Sequence, residues 1–239
     1  MIDAIGHDRM AELFAEAGVE TPAVLTEGGE FYRAEGSTLE VRHAGGSYHP
    51  VSLPEGVMRF HMTRRTLTPI TANNSASLFA LEGDLRLVEF HSKANALTDE
   101  SMEIVAAAAA DHGKGIIIHN DAQHFSAGVD LNAFRAYIEA EDWDGIDGFL
   151  DRFQKAVCAL KYTPVPVVGA PSGLAAGGGY EVLAHCDRLV VHTNSVMGLV
   201  EAGVGVVPGG GGIKDTYFRW FDAKQNWDEA AWQTWMNIG

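Results

Sequence analysis

Along the second half of the chain, apolar residues fall into short runs that alternate with stretches of helical spacing, separated by glycine clusters. Leu85–Phe90 alternates as a strand does. Thr98 is a good N-cap for a helix reaching Asp111. Asp99 and Glu100 in its first turn complement the helix dipole, and the alanine run 106–110 favours helix. Residues 116–118 are all isoleucine, as expected of a strand covered on both faces. The segment HFSAGVDLNAF reads as a turn that opens a helix at Asp130. Asp144 is the expected cap of the next helix, whose apolar face is Ile146, Phe149, Leu150, Phe153, Val157 and Leu160; Pro164 and Pro166 end it. Val167–Gly169 and residues 189–192 follow as strands, with a glycine turn and a helical pattern over residues 180–185 between them. Repeated strand–helix units of this kind predict a mainly parallel, layered α/β domain.

The first third of the chain reads differently. Residues 8–17 predict a short amphipathic helix with Met10, Leu13, Phe14 and Ala17 on one face, stopped by Gly18. A glycine-rich stretch then offers strand candidates at residues 31–32, 39–41 and 48–51, arranged as small hairpins. This part has no evident apolar core of its own. The polar joint TANNSAS, residues 71–77, is the expected boundary and divides the chain into residues 1–75 and 76–239.

Composition narrows the function classes. A length of 239 residues suits one large domain, or one domain and a piece of another. Hydrophobic content of 46% is enough for a sizeable core. A formal net charge of −15 argues against general nucleic-acid binding, which relies on clustered Lys and Arg. The first ten residues carry mixed charges and no apolar core, unlike a signal peptide, and no apolar run approaches the roughly 20 residues that span a bilayer. The expected compartment is therefore the cytoplasm. The two cysteines, Cys158 and Cys186, lie in apolar helical patterns and are expected as buried thiols rather than a disulfide or metal pair.

The candidate chemistry gathers in residues 164–212. Gly177, Gly178 and Gly179 feed a helix, whose first N–H groups are unpaired at the positive end of its dipole. Such an end holds a phosphate, a carboxylate or a developing oxyanion. The glycines lack the G-x-G-x-x-G spacing of a dinucleotide site, and Gly211, Gly212, Ile213 and Lys214 do not complete a P-loop, so both nucleotide readings are weak. Residues 209–212 read as a flexible turn after Pro208. Glu181 falls in the first turn of the helix, where its carboxylate can project near the N–H groups of that same end. Its neighbours Tyr180, Val182, Leu183 and Ala184 predict burial, and a buried carboxylate has a raised pKa and needs a partner or a task. Glu201 is likewise set among apolar residues. Two glutamates facing one cavity can share a water and move its proton, which beside an oxyanion hole adds water across an activated double bond. Two structural glutamates are the other reading.

The stretches KANAL, FSAGVDL and PVVGAPSGLAAGGGYEVLAHCDRLVVHTNSVMGLVEAGVGVVPGGGG, in this order and spacing, strongly resemble the enoyl-CoA hydratase/isomerase (crotonase) superfamily over residues 78–215. The resemblance implies a crotonase-like α/β fold, a ββα spiral. It implies an oxyanion hole built from the backbone N–H groups of Val129 and Gly178, with Glu181 and Glu201 as the acid–base pair. It also implies that Ala94, Ala96, Ser126, Ala127, Asp130 and Leu131 bind the acyl-CoA, and that no metal or cofactor is required. Many relatives have a lysine two residues after the motif's Asp; Asn132 stands here, so the resemblance does not extend to the phosphate contact that lysine implies. Isomerases of the superfamily commonly keep one of the two acids. Having both implies hydration of a trans-2-enoyl-CoA to the 3-hydroxyacyl-CoA, a lyase step of fatty-acid β-oxidation.

The N-terminal order IDAIG, AELFAEAGVETP, FYRAEG, GSYHPVSLPEGV resembles the tail of the 3-hydroxyacyl-CoA dehydrogenase region of bifunctional β-oxidation proteins. That implies a multifunctional enzyme in which NAD serves only a dehydrogenase region outside this chain. Hydratase domains of the family continue well past the PGGGG turn, so the resemblance also implies an internal fragment with a C-terminally truncated hydratase domain. Trp220, Trp227, Trp232 and Trp235 then lie on helix faces that expect a partner, either a second copy in a homo-oligomer or a dehydrogenase domain. An isomerase of the same fold and an inactive structural or coenzyme A-binding fragment are the alternatives.

Overall fold

The computed structural model describes residues 5–36, 38–43, 45–57 and 59–236. They form two compact units, Met1–Leu67 and Thr68–Gly239. The division falls ahead of the joint expected at residues 71–77. Pro69–Ala72 (β4) already pairs antiparallel with Ala76–Leu81 (β5), so the polar joint is a turn within the sheet. Asn73 Oδ1 closes that turn by accepting the N–H groups of Ser75 at 3.0 Å and Ala76 at 2.9 Å.

In the first unit, the expected amphipathic helix runs His7–Glu16 (α1). Tyr32–Glu35 (β1), Thr38–Arg42 (β2) and Tyr48–Pro50 (β3) form an antiparallel meander, the expected hairpins. Among its described residues only Leu25 and Phe60 are buried apolar side chains, together with Arg42. The Arg42 guanidinium donates to the Val24 carbonyl at 3.0 Å and faces Glu27 at 3.4 Å. A buried, paired arginine thus takes a place that an apolar side chain would otherwise fill.

The second unit is built on a six-stranded sheet. It contains β4, β5, Leu85–Phe90 (β6), Gly115–Ile118 (β7), Val167–Gly169 (β8) and Arg188–Leu189 (β10); the intervening strand Leu174–Ala176 (β9) lies in a separate layer. The spatial order is β10-β8-β7-β6-β5-β4. The pairs β6–β7, β7–β8 and β8–β10 are parallel, as expected, whereas β4–β5 and β5–β6 are antiparallel. Connection length decides the difference: the turn at Glu82–Asp84 is too short for a crossover, so β5 and β6 can only form a hairpin. The strand expected over residues 189–192 is shorter, because Val190 and Val191 leave the sheet and are exposed.

Asp99–Ala110 (α2) opens on a capping box between Thr98 and Ser101. Leu131–Glu139 (α3) is capped by Asp130. Trp143–Lys161 (α4) is capped by Asp142, whose carboxylate accepts the Gly145 N–H at 2.9 Å; Asp144, the expected cap, lies one residue inside the first turn. Phe149, Phe153, Val157 and Leu160 of α4 are buried as their spacing required, and join β5–β8 and α2 in one core. Gly178–Ala184 (α5), Gly212–Lys224 (α6) and Trp227–Met236 (α7) complete the unit. Among the described residues, no helix is long and apolar enough to cross a membrane.

A second, smaller layer carries the glycine turn. Leu174–Ala176 (β9) pairs in parallel with Val196–Gly198 (β11), and single parallel bridges join Ser126 to Ala175 and Leu97 to Val129. Extended segments from four parts of the chain therefore run side by side in one direction. Their carboxyl ends deliver Val129, Gly178 and Glu201 to neighbouring positions, as open α/β sheets do at ligand crevices.

Leu160 is fully buried in the shared core. Leu160→Ala should lower the unfolding free energy by about 2–5 kcal/mol in urea titration. A loss below about 1 kcal/mol would show that the site collapses around the missing side chain.

Candidate active site

The turn after β9 is shaped by glycine. Gly177 takes φ +50 and ψ −120, a conformation that strains residues carrying a Cβ. Its N–H donates to Gly198 at 2.9 Å. α5 begins at the next residue, and a Cβ on Gly178 would lie 2.8 Å from Val129 Cγ2, so the two backbones can approach only with glycine here. The Val129 segment is held from its other side: Leu97 N–H donates to Gly128 at 2.8 Å and Asp130 N–H donates to Leu97 at 3.0 Å. In a parallel bridge of this kind the intervening residue turns its own N–H away from the partner strand. Among the described residues, no acceptor pairs with the N–H of Val129 or of Gly178. The two backbone donors implied by the family resemblance are thus brought side by side and left unspent.

Glu181 is buried at 2% exposure, as its apolar neighbours required. Its carboxylate does not turn back to its own helix end. Oε1 instead accepts the N–H groups of Gly210 at 2.8 Å and Gly212 at 2.9 Å, at the start of α6. Residues 209–212 are therefore not a loose turn but the cradle of this carboxylate. Gln154 anchors the turn by donating to the Gly209 carbonyl at 2.6 Å. A Cβ on Gly210 would meet Phe153 at 2.4 Å and Glu181 Oε2 at 2.6 Å, and one on Gly212 would meet Glu181 Cγ at 2.6 Å. Burial pushes the Glu181 carboxyl up to about 7; the two N–H donors pull against it and the Glu201 charge adds to it.

Glu201 opens the short 3-10 turn Glu201–Val204 that follows β11. Its carboxylate lies against Gly177, where an added Cβ would sit 2.9 Å from Oε1. Among the described residues, Glu201 Oε2 is buried without a hydrogen-bond partner. Burial raises the pKa of this group too, opposed by its own backbone N–H and that of Val200. Two acids of raised pKa therefore flank the turn that leaves the Gly178 N–H free.

The proposed acyl-CoA contacts lie on two loops that hold each other. Ala127 N–H donates to the Ala94 carbonyl at 3.2 Å. The Ser126 hydroxyl, fully buried, donates to Asn95 at 2.7 Å and accepts the Gly128 N–H at 3.1 Å, so it is spent inside the protein. The Ala96 carbonyl accepts from Ser92 at 2.6 Å. The Asp130 side chain accepts from Asn132 N–H at 3.0 Å, and Leu131 is exposed. Cys186 is buried, which pushes its thiol up to about 12, and Cys158 is half-buried; both are free thiols.

Local spacing missed a cluster directly behind Glu181. His185 Nδ1 is 2.7 Å from the Glu181 carbonyl oxygen, and Nε2 is 2.8 Å from Asp215 Oδ2. The second contact is short but poorly aligned for a hydrogen bond. Lys161 also pairs with Asp215. Although burial opposes it, the contacts from His185 and Lys161 hold the Asp215 carboxyl below the usual carboxylate range. The readable signal was His185 four residues after Glu181, on the same helix face. A cleft of about 400 Å³ opens beside His185, Gly210 and Lys214, and its lining includes neither glutamate.

The model of one protein family, enoyl-CoA hydratase/isomerase, matches residues 85–221. The chain is 33% identical to a probable 3-hydroxyacyl-CoA dehydrogenase of Bacillus subtilis (strain 168), covering 100% of this chain and 31% of that protein. It is 34% identical to a putative fatty acid oxidation complex trifunctional enzyme of Rickettsia felis, over 49% of this chain and 16% of that protein. The chain thus spans about a third or less of the length of these curated relatives. Among solved structures, the enoyl-CoA hydratase from Thermoplasma volcanium GSS1 superposes with a TM-score of 0.55 at 21% identity, covering 69% of this chain and 65% of that one. The crotonase-like α/β fold is therefore shared.

The raised Glu181 pKa sets a pH dependence of stability. In the folded chain the carboxyl keeps its proton up to about 7, whereas in the unfolded chain it loses it near 4.5. Between these values the native state binds more protons, so stability falls as pH rises, by on the order of 3 kcal/mol. Glu181→Gln removes this contribution. Its stability relative to the wild type, measured by urea unfolding, should grow from pH 4.5 to 7; two parallel curves would contradict a raised pKa.

Proposed function

Because the chain belongs to the enoyl-CoA hydratase/isomerase family, we propose that it hydrates a trans-2-enoyl-CoA to the 3-hydroxyacyl-CoA in fatty-acid β-oxidation. The observation that carries this reading is the meeting of two acids, the buried Glu181 and the half-buried Glu201, at a turn with unspent backbone donors. The N–H groups of Val129 and Gly178 receive the thioester oxygen and stabilise the enolate that forms when water adds. Glu181, fixed through Oε1, and Glu201, with Oε2 unpaired, hold the water between them. One takes its proton while the other supplies a proton to the neighbouring carbon. The two titrate as a pair, so base and acid are roles of the dyad. The loops carrying Ala94, Ala96, Ser126, Ala127, Asp130 and Leu131 form the path for the acyl-CoA, largely through their backbone. Hydration in this scheme uses no metal and no cofactor.

The names of two relatives support a wider assignment: the Bacillus subtilis protein is called a probable 3-hydroxyacyl-CoA dehydrogenase and the Rickettsia felis one a putative fatty acid oxidation complex trifunctional enzyme. We place this chain in a multifunctional β-oxidation enzyme, with residues 1–75 belonging to the end of a 3-hydroxyacyl-CoA dehydrogenase region and NAD serving that region alone. A second copy or the dehydrogenase domain covers the exposed Trp232 and Trp235. The free thiols Cys158 and Cys186 suit the cytoplasm.

Glu181→Gln and Glu201→Gln should each lower kcat for crotonyl-CoA hydration by about 10²–10⁴-fold. A single substitution that leaves the rate intact would contradict the two-acid mechanism, and double-bond migration without hydration would identify an isomerase.

A further inference from the structure

The proposed hydration uses the carboxylate of Glu181, and its cradle depends on groups that take no part in the reaction. Gly210 and Gly212, which supply the two N–H donors, sit at the start of α6, and Asp215 lies in the first turn of that helix. Asp215 is buried at 1% exposure, and its N–H donates to Gly211 at 3.1 Å. A Cβ on Gly211 would lie 3.3 Å from the His185 ring, so the ring packs directly beneath the turn. His185 reaches from the Glu181 carbonyl on α5 to the Asp215 carboxylate on α6. A carbonyl and an ionised carboxylate both only accept, so the ring meets both as a donor only when it carries a proton on each nitrogen.

We propose that His185 is a positioning residue: by bridging the Glu181 carbonyl and Asp215 it clamps the start of α6 against α5, and so holds the Gly210 and Gly212 N–H groups on the Glu181 carboxylate. This rests on the hydration reading for its catalytic meaning, but not for its geometry. The surrounding charges are few. Glu181 faces Glu201 from the 3-10 turn and His185 from its own helix. Asp215 faces Lys161 of α4 and, at 3.4 Å, Lys214 of α6. Arg219 of α6 donates to the carbonyls of Ala184 and Cys186, and the Cys186 thiol is kept neutral by burial. Releasing the clamp withdraws two donors that favour ionised Glu181, which favours the protonated form.

The test is the titration of the Glu181 carboxyl in the substrate-free chain, followed by infrared difference spectroscopy and assigned against Glu181→Gln. In His185→Leu and Asp215→Asn the midpoint should rise by about one pH unit. His185→Gln, which keeps an N–H donor, should restore part of the shift. The acid limb of kcat/KM should move by the same amount. An unmoved midpoint in folded variants overturns the positioning role, even where Tm falls, because a purely structural contact would cost stability alone. If His185→Leu does not fold, the isosteric Asp215→Asn decides. A moved midpoint in a chain that hydrates nothing supports the clamp and counts against the hydration reading.

Discussion

Glu181 is a carboxylate placed inside an apolar helix, and the arrangement of the second unit follows from what that placement demands. Taken out of water without partners, an ionised carboxylate costs several kcal/mol, and it relieves the cost by keeping its proton or by finding donors. Here it does part of each. The N-terminus of α6 brings two backbone N–H groups and the positive end of a helix dipole to Oε1. Burial still holds the pKa near 7. A group balanced in this way exchanges a proton readily at neutral pH, which is the property a water-activating acid–base needs.

The same demand explains the glycines. Two donors from one turn can reach one oxygen only if the turn lies closer to Glu181 and Phe153 than any Cβ permits, so positions 210 and 212 must be bare. A parallel requirement acts at Gly178, where the end of one extended segment meets Val129 at the end of another. The small parallel layer aligns these ends, and the large sheet with its α2 and α4 cover supplies the fixed core behind them. Glycine runs that look permissive in isolation are therefore the most constrained positions of the site.

The architecture was legible wherever a segment's burial is two-sided or its caps are unambiguous. Residues 85–90, 116–118 and 167–169 announced themselves as strands, and Thr98 and Asp130 as helix starts, because apolar runs and caps are local signals. Asp144 was the expected cap of α4, but Asp142, two residues earlier, takes that place, because the helix begins one residue before Asp144. Burial of Glu181 was readable from its neighbours; its partners were not, since Gly210 is 29 residues distant and is brought near only by β11 and the 3-10 turn. The pairing of Val129 with Gly178 came from family resemblance, because it depends on the bridge through Leu97, which leaves no local trace. The His185–Asp215 contact lay beyond both routes.

The account stands on two acids placing a water against a polarised enoyl thioester. Reaction of crotonyl-CoA in water labelled with heavy oxygen, followed by mass spectrometry of the product, tests that step directly. The account predicts a 3-hydroxyacyl-CoA carrying the solvent oxygen, formed by the wild-type chain and lost when Glu181 and Glu201 are both replaced by Gln. Label incorporation that persists in the double variant, or a shifted double bond with no solvent oxygen, would contradict it.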